Sequence, residues 1–125
     1  MKVYEILETA FGLAGEKLED FPDKKLAVIW LNTAVAEAVK AENAIRERKG
    51  METTDIFAVQ QLSDEVDMDA ELCRICLPFA VADSLYSDRE NDYLSAQYRN
   101  RFIDALQSAA MGQEKDIADC YGGEV

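Results

Sequence analysis

The sequence contains no histidine, which excludes Ser–His and Cys–His nucleophile pairs and zinc sites built on imidazole. Glycine and proline are also scarce, with 6 and 2 residues among 125. Since all-β folds need many turns, this scarcity favours long helices. No apolar run approaches the roughly 18 residues that cross a membrane, and Glu5 and Glu8 interrupt any signal-peptide core. We therefore expect a soluble intracellular helical protein with no membrane partner.

Cysteine is rare as well, and the three cysteines, Cys73, Cys76 and Cys120, are an odd number. The first two are three residues apart in a helical pattern, so we expect no disulfide framework and a reducing cytoplasm. The Cys73-x-x-Cys76 spacing also occurs in redox and zinc sites, but no second pair and no strand–turn context accompany it here. We interpret both residues as buried structural thiols, because free cysteine packs as a small hydrophobe.

Basic residues are outnumbered by acidic ones, 13 to 25, which gives a formal net charge of −12. Such a chain repels phosphate on average, so tight binding to nucleic acid is not expected. Its acidic residues could indicate a calcium-binding site. However, an EF-hand loop starting at Asp67 would have Leu72 and Pro78 where glycine and glutamate are required. The sequence therefore predicts no metal and no cofactor.

The periodicity of apolar residues predicts one all-α, four-helix domain, residues 1–112, followed by a flexible polar tail, residues 113–125. The first helix spans residues 3–15, and the second runs from about Asp23 to about Arg48. The apolar stripe of the second helix is wide, which suggests that this helix is central.

The third helix is predicted to start at a cap residue, Asp67 or Asp69, and to be kinked at Pro78. The fourth is predicted to start at the capping-box sequence Ser87–Glu90 and to end near Ala110. Nine residues with helical spacing are expected in the core: Trp30, Leu31, Val35, Leu72, Ile75, Phe79, Tyr98, Phe102 and Leu106.

Between the second and third helices, residues 51–66 lack helical periodicity and predict a long extended loop, which could include a short strand or hairpin. Its apolar run has no partner strand in the sequence. We therefore expect the loop to be mobile in the isolated chain and to become ordered on assembly. The candidate assembly loop consists of Thr53, Thr54, Asp55, Ile56, Phe57, Ala58, Val59, Gln60 and Gln61.

A basic cluster at the end of the second helix, Arg46, Arg48 and Lys49, is a candidate contact for a partner, although a solvated helix end is the ordinary interpretation. No combination of residues assembles an active site, and a small enzyme that uses carboxylates alone is the least favoured hypothesis. We therefore expect a binding or structural role and no enzymatic activity.

Five stretches form a pattern in this order: Trp30-Leu31-Asn32-Thr33-Ala34-Val35-Ala36-Glu37, Glu42-Asn43-Ala44-Ile45-Arg46, the segment from Ile56 to Asp69, the segment from Leu72 to Tyr86 with Leu77-Pro78-Phe79-Ala80, and Asn91-Asp92-Tyr93-Leu94-Ser95-Ala96-Gln97-Tyr98-Arg99. This pattern resembles the head–tail connector, or adaptor, proteins of tailed bacteriophages. The resemblance covers about residues 3–110.

The resemblance implies a helical subunit that forms a ring of about a dozen copies beneath the portal protein. The ring would receive tail or head-completion proteins on its other face, and genomic DNA would pass through its channel without tight binding. The protein would be made in the bacterial host cytoplasm and located at the head–tail junction of the virion. The alternative is a cytoplasmic acidic helical adaptor or regulator that binds one protein partner.

Overall fold

The computed structural model describes residues 1–54 and 59–112. Within these residues, four α-helices occur in chain order: α1 (Val3–Leu13), α2 (Lys24–Arg48), α3 (Leu77–Asp88) and α4 (Asp92–Met111). A 3₁₀ helix (Leu18–Asp20) precedes α2, and a π-helical turn (Leu72–Cys76) leads directly into α3. The described residues form no strand, although an isolated antiparallel bridge joins Lys2 to Glu65. The predicted all-α four-helix domain is confirmed.

Two short polar side chains fix where the longest helices begin. Asp23 caps α2, since its Oδ1 accepts the N–H of Leu26 at 3.1 Å, and the helix begins at Lys24, next to the predicted start near Asp23. Asn91 caps α4 in the same way, and its Oδ1 accepts the N–H of Leu94 at 3.2 Å. The predicted start of the fourth helix at Ser87 is therefore wrong, because Ser87 lies in the last turn of α3.

α3 packs against all three other α-helices. Six of its residues are buried: Leu77, Pro78, Ala80, Val81, Ala82 and Leu85. The central position that the sequence suggested for the second helix therefore belongs to α3. On α2, Ile29 is 58 % exposed although it lies in the predicted apolar stripe. One side of that stripe faces solvent.

A π-helical turn stands where the sequence predicted a kink at Pro78. Leu77 donates its N–H to the carbonyl of Leu72, five residues earlier, and Pro78 has no N–H to contribute to that turn. The wider turn changes which side chains face the core. Leu72 and Cys73 are both buried, whereas Ile75 is 47 % exposed. The prediction that Ile75 is a core residue is therefore wrong.

The other eight predicted core residues lie in or against one hydrophobic core. Five are buried (Leu31, Val35, Leu72, Tyr98 and Phe102), and three are partly buried (Trp30, Phe79 and Leu106). Aromatic contacts join α4 to α3, since Tyr98 stacks on Tyr86 with ring centroids 5.6 Å apart and lies 6.1 Å from Phe79. The helical spacing in the sequence thus predicted most of the core.

Replacing Phe102 by Ala should lower the free energy of unfolding by about 3–5 kcal/mol, because truncating a fully buried phenylalanine leaves a cavity. The matched control is Ile75→Ala, where the side chain is half-exposed and the expected loss is below about 1 kcal/mol. Denaturant titration of both variants measures the difference. A loss under about 1 kcal/mol for Phe102→Ala would contradict its place in the core.

Candidate functional site

The long connection between α2 and the π-helical turn contains the candidate assembly loop, and two asparagines of α2 hold it. Asn43 Nδ2 donates to the carbonyl of Thr54 at 2.5 Å, and the N–H of Thr54 donates to Asn43 Oδ1 at 2.8 Å. Asn32 holds Val59 in the same way, with distances of 2.7 and 3.0 Å. Each asparagine therefore pairs with one residue of the connection, as a neighbouring strand would.

A carboxamide suits this role because it offers both a donor and an acceptor, as a peptide group does. Asn32 and Asn43 are separated by about three helical turns, so they lie on one face of α2, about 16 Å apart along its axis. We name these two residues the asparagine clamp. The hydrogen bonds of the clamp reach only main-chain atoms of Thr54 and Val59.

After Val59 the connection turns back, and Asp64 stabilises the turn. Its Oδ2 accepts the N–H of Gln60 at 2.8 Å and the N–H of Gln61 at 3.0 Å. These two hydrogen bonds lower the pKa of Asp64 below its ordinary value of 3.8, and the nearby Lys2 ammonium acts in the same direction. The turn is therefore held by the ionised carboxylate.

The returning chain then pairs with the first two residues of α1. The N–H of Tyr4 donates to the carbonyl of Leu62 at 3.0 Å, and the N–H of Val3 donates to the carbonyl of Asp64 at 2.9 Å. Val66 follows and is buried in the hydrophobic core. Hydrogen bonds therefore hold the described part of the connection at two places. Thr54 and Val59 are bound to α2, and Leu62 and Asp64 are bound to the start of α1.

Glu42 is the one charged side chain that is buried among the described residues, with 3 % exposure. Its Oε1 accepts the N–H of Asp69 at 2.7 Å, and its Oε2 accepts Arg46 Nε at 2.5 Å. Arg46 also donates to the carbonyl of Asp67 at 3.2 Å. Asp69 caps the helical residues that start at Ala70, which confirms one of the two predicted cap positions. Glu42 therefore fixes the end of the connection against α2.

The predicted basic cluster is engaged within the chain. Lys49 Nζ lies 3.2 Å from Asp69 Oδ1, and Arg46 is bound as described above. Arg48 donates to the carbonyls of Ala109 and Ala110, where α4 ends. A contact between these three residues and a partner stays a prediction. Within the chain, they join the end of α2 to the connection and to α4.

The candidate assembly loop is described in part. Thr53 is exposed, the clamp holds Thr54 and Val59, and Gln60 and Gln61 are bound at the turn. The remaining residues, Asp55, Ile56, Phe57 and Ala58, lie outside the described residues, as does the predicted tail, 113–125. The expected ordering of the loop on assembly stays a prediction.

The asparagine clamp is the part of this site that the sequence did not predict. The apolar run was expected to lack a partner strand and to become ordered on assembly. In the structure the main chain of Val59 is bound by Asn32, and its side chain is 6 % exposed. One signal was present. Asparagine is a poor helix former that tends to bond nearby main-chain groups, and the predicted second helix contains two.

Cys73 and Cys76 are buried free thiols, as their helical spacing predicted. Burial raises the pKa of Cys76 to about 12 and also raises the pKa of Cys73. Both thiols therefore stay protonated near neutral pH, and a protonated thiol is neither a nucleophile nor a metal ligand. Among the residues that the structure describes, no three side chains of metal-binding type lie together.

No family model matches the chain, and neither a curated protein nor a solved structure is significantly similar to it. Among the helices of the described parts, none combines the length and the apolarity that crossing a membrane requires.

Replacing Asn43 by Ala should release Thr54 from α2, because both hydrogen bonds at that end of the clamp are lost. Two such bonds are worth about 1–3 kcal/mol. Denaturant titration measures that loss, and NMR measures faster hydrogen exchange at the Thr54 amide. The matched control is Asn100→Ala, an exposed asparagine on α4, which should change neither quantity. Slow exchange at Thr54 in the Asn43→Ala variant would show that the clamp does not hold the connection.

The turn at Asp64 should open in acid. Because the folded pKa of Asp64 lies below its ordinary value of 3.8, the carboxylate stabilises the turn above that pH and ceases to do so as the pH falls through the lowered pKa. Amide exchange at Gln60 and Gln61 should therefore accelerate as the pH falls below 3.8 and through the lowered pKa of Asp64, after correction for the intrinsic rate. Asp64→Asn should remove this pH dependence, since a carboxamide accepts hydrogen bonds without titrating. The same acid-induced opening in the Asn variant would assign the effect to another group.

Proposed function

We propose that the chain is a structural virion protein of the head–tail connector type, which forms a ring beneath the portal and joins the DNA-filled head of a tailed phage to its tail. The observation that carries this proposal is the long connection bound on the surface of α2 through its main chain. The clamp uses main-chain atoms, and the side chain of Val59 packs in the core of its own chain. We infer that the contact with a neighbouring subunit is specified by the side chains between the two clamped positions. Two of the four residues between the clamped positions, Ile56 and Phe57, are large and apolar.

A ring subunit also needs two different contact faces, because the interface between successive copies is head-to-tail. Large apolar side chains are exposed on more than one helix, among them Ile29 of α2 and Tyr93 of α4. Contact with neighbours on two sides would remove this apolar surface from water. The proposed partners are therefore other copies of the chain, about a dozen in the ring.

The acidic surface supports the proposed passage of DNA. With a net charge of −12, the subunit repels phosphate, so genomic DNA could slide through a channel lined by such subunits without being held. The resemblance in sequence adds the portal protein on one face of the ring and tail or head-completion proteins on the other. The proposed location is the head–tail junction of the virion, after synthesis in the host cytoplasm.

Native mass spectrometry of the purified chain, alone and with a portal protein, tests the proposal. We expect closed species of about twelve copies, or rings that appear when the portal is added. A chain that stays monomeric at high concentration and in the presence of portal would contradict the connector and favour the cytoplasmic adaptor.

A pair of variants separates a contact through the loop from a general loss of folding. Replacing Ile56 and Phe57 together by Ser should abolish ring formation and leave the helical circular dichroism unchanged, because the change removes apolar side chains from the candidate assembly loop. The matched control is Met51→Ser, an exposed apolar residue of the same connection outside that loop. Rings should persist in the control. Rings in both variants would exclude the loop from the interface.

A further inference from the structure

We propose that a cleft between α2 and α3 binds the guanidinium group of an arginine that a partner protein presents. The cleft has a volume of about 330 Å³ and is lined by Trp30 of α2 and by Asp83, Ser84, Ser87 and Asp88 of α3. We name it the α2–α3 cleft. None of its residues belongs to the long connection, so the proposal goes beyond the connector function and does not depend on ring formation.

The α2–α3 cleft contains two carboxylates that the chain leaves without a counter-ion. Among the described residues, neither Asp83 nor Asp88 forms an ion pair. Arg99 lies near Asp83, but both of its terminal nitrogens bind the carboxylate of Glu37, with 3.1 Å between Nη1 and Oε1. Arg89, which follows Asp88, pairs with a glutamate beyond the end of α1. The cleft therefore attracts a cation from outside the chain.

The polar groups that α3 contributes to the cleft act as hydrogen-bond acceptors. Asp83 Oδ1 accepts the hydroxyl of Ser95, which leaves Oδ2 to accept another donor. Ser84 Oγ donates its hydrogen to the carbonyl of Ala80 at 3.3 Å, so this hydroxyl can only accept a further bond. A ligand that matches these groups has to bring several donors. A guanidinium group brings five N–H donors in one plane and binds carboxylates in a bidentate way.

Trp30 favours arginine over other cations. Its indole contacts Phe21, with ring centroids 5.7 Å apart, and the residue also lines the cleft. Indole is the aromatic side chain that attracts a cation most strongly. A planar guanidinium can also stack on the ring, whereas the ammonium of lysine is a compact and strongly hydrated charge.

The cleft suits a side chain of a protein better than a free small molecule. Small-ligand pockets are mostly apolar and enclose most of the ligand, whereas four of the five residues here are polar, and Ser87 and Asp88 are exposed. Arginine is enriched in protein interfaces, where the surrounding contacts hold it in place. The net charge of −12 also draws a basic partner surface towards the chain.

Titration with N-acetyl-arginine amide tests the proposal. Trp30 is the single tryptophan of the chain, so its fluorescence reports directly on the cleft. We expect a saturable change with a dissociation constant on the order of 1–10 mM, which added salt should weaken. N-acetyl-citrulline amide has nearly the same shape and no charge, and it should give no saturable change.

Two pairs of substitutions locate the effect. Asp83→Asn with Asp88→Asn should weaken binding by about tenfold or more, because the charge-assisted hydrogen bonds are lost. The matched control is Glu47→Gln with Asp104→Asn, which removes two charges at exposed positions outside the cleft and should leave the affinity unchanged. Circular dichroism checks that both variants keep their helices.

Four results would overturn the proposal: no saturable change with the arginine probe, equal binding of the citrulline probe, an equal loss in the control variant, or no loss in the Asp83 and Asp88 variant. A dissociation constant below about 10 μM would assign the cleft to a free small cation and overturn the role of a partner protein. None of these measurements involves rings, so their failure is distinguishable from failure of the proposed function.

Discussion

The peptide groups of a long irregular connection need hydrogen-bond partners, and much of this structure depends on how they find them. A buried N–H or carbonyl without a partner costs about as much as a lost hydrogen bond, so an apolar residue such as Val59 can pack against the helices only if its main chain is satisfied. No strand is present in the described residues to do this. The side chains of Asn32 and Asn43 on α2 supply these hydrogen bonds instead. α2 therefore both contributes to the core and binds the connection.

Glu42 shows the same dependence at the other end of the connection. Burying a carboxylate is costly unless charge and hydrogen bonds compensate, and here Arg46 and the N–H of Asp69 supply both. Since Asp69 also caps the helical residues that follow, one buried group links the polar face of α2 to the start of the helix that fills the core. Glu42 therefore connects α2 to the helical residues that start at Ala70 through its hydrogen bond with Asp69.

The sequence predicted what local chemistry decides and missed what tertiary contacts decide. Helical spacing was enough to place α2 and most of the core, because periodicity is local. The start of α4 was misplaced because Ser87 and Asn91 are both good caps, and only the packed helices select the second. Ile75 was assigned to the core because a π-helical turn has no sequence signal of its own. The clamp was missed because its partners are distant in sequence.

The π-helical turn also bears on how the length of this chain can change. Loss of one residue between Leu72 and Cys76 would convert the turn to an ordinary α-helical one and rotate everything before it by about 100° about the helix axis. Asp69 would then face away from Glu42. Insertions and deletions of single residues are well tolerated in an exposed connection, where closure entropy changes slowly with length. The number of residues between Asp69 and Pro78 should therefore stay constant among descendants of this gene. Insertions and deletions should occur in other segments, such as the exposed connection.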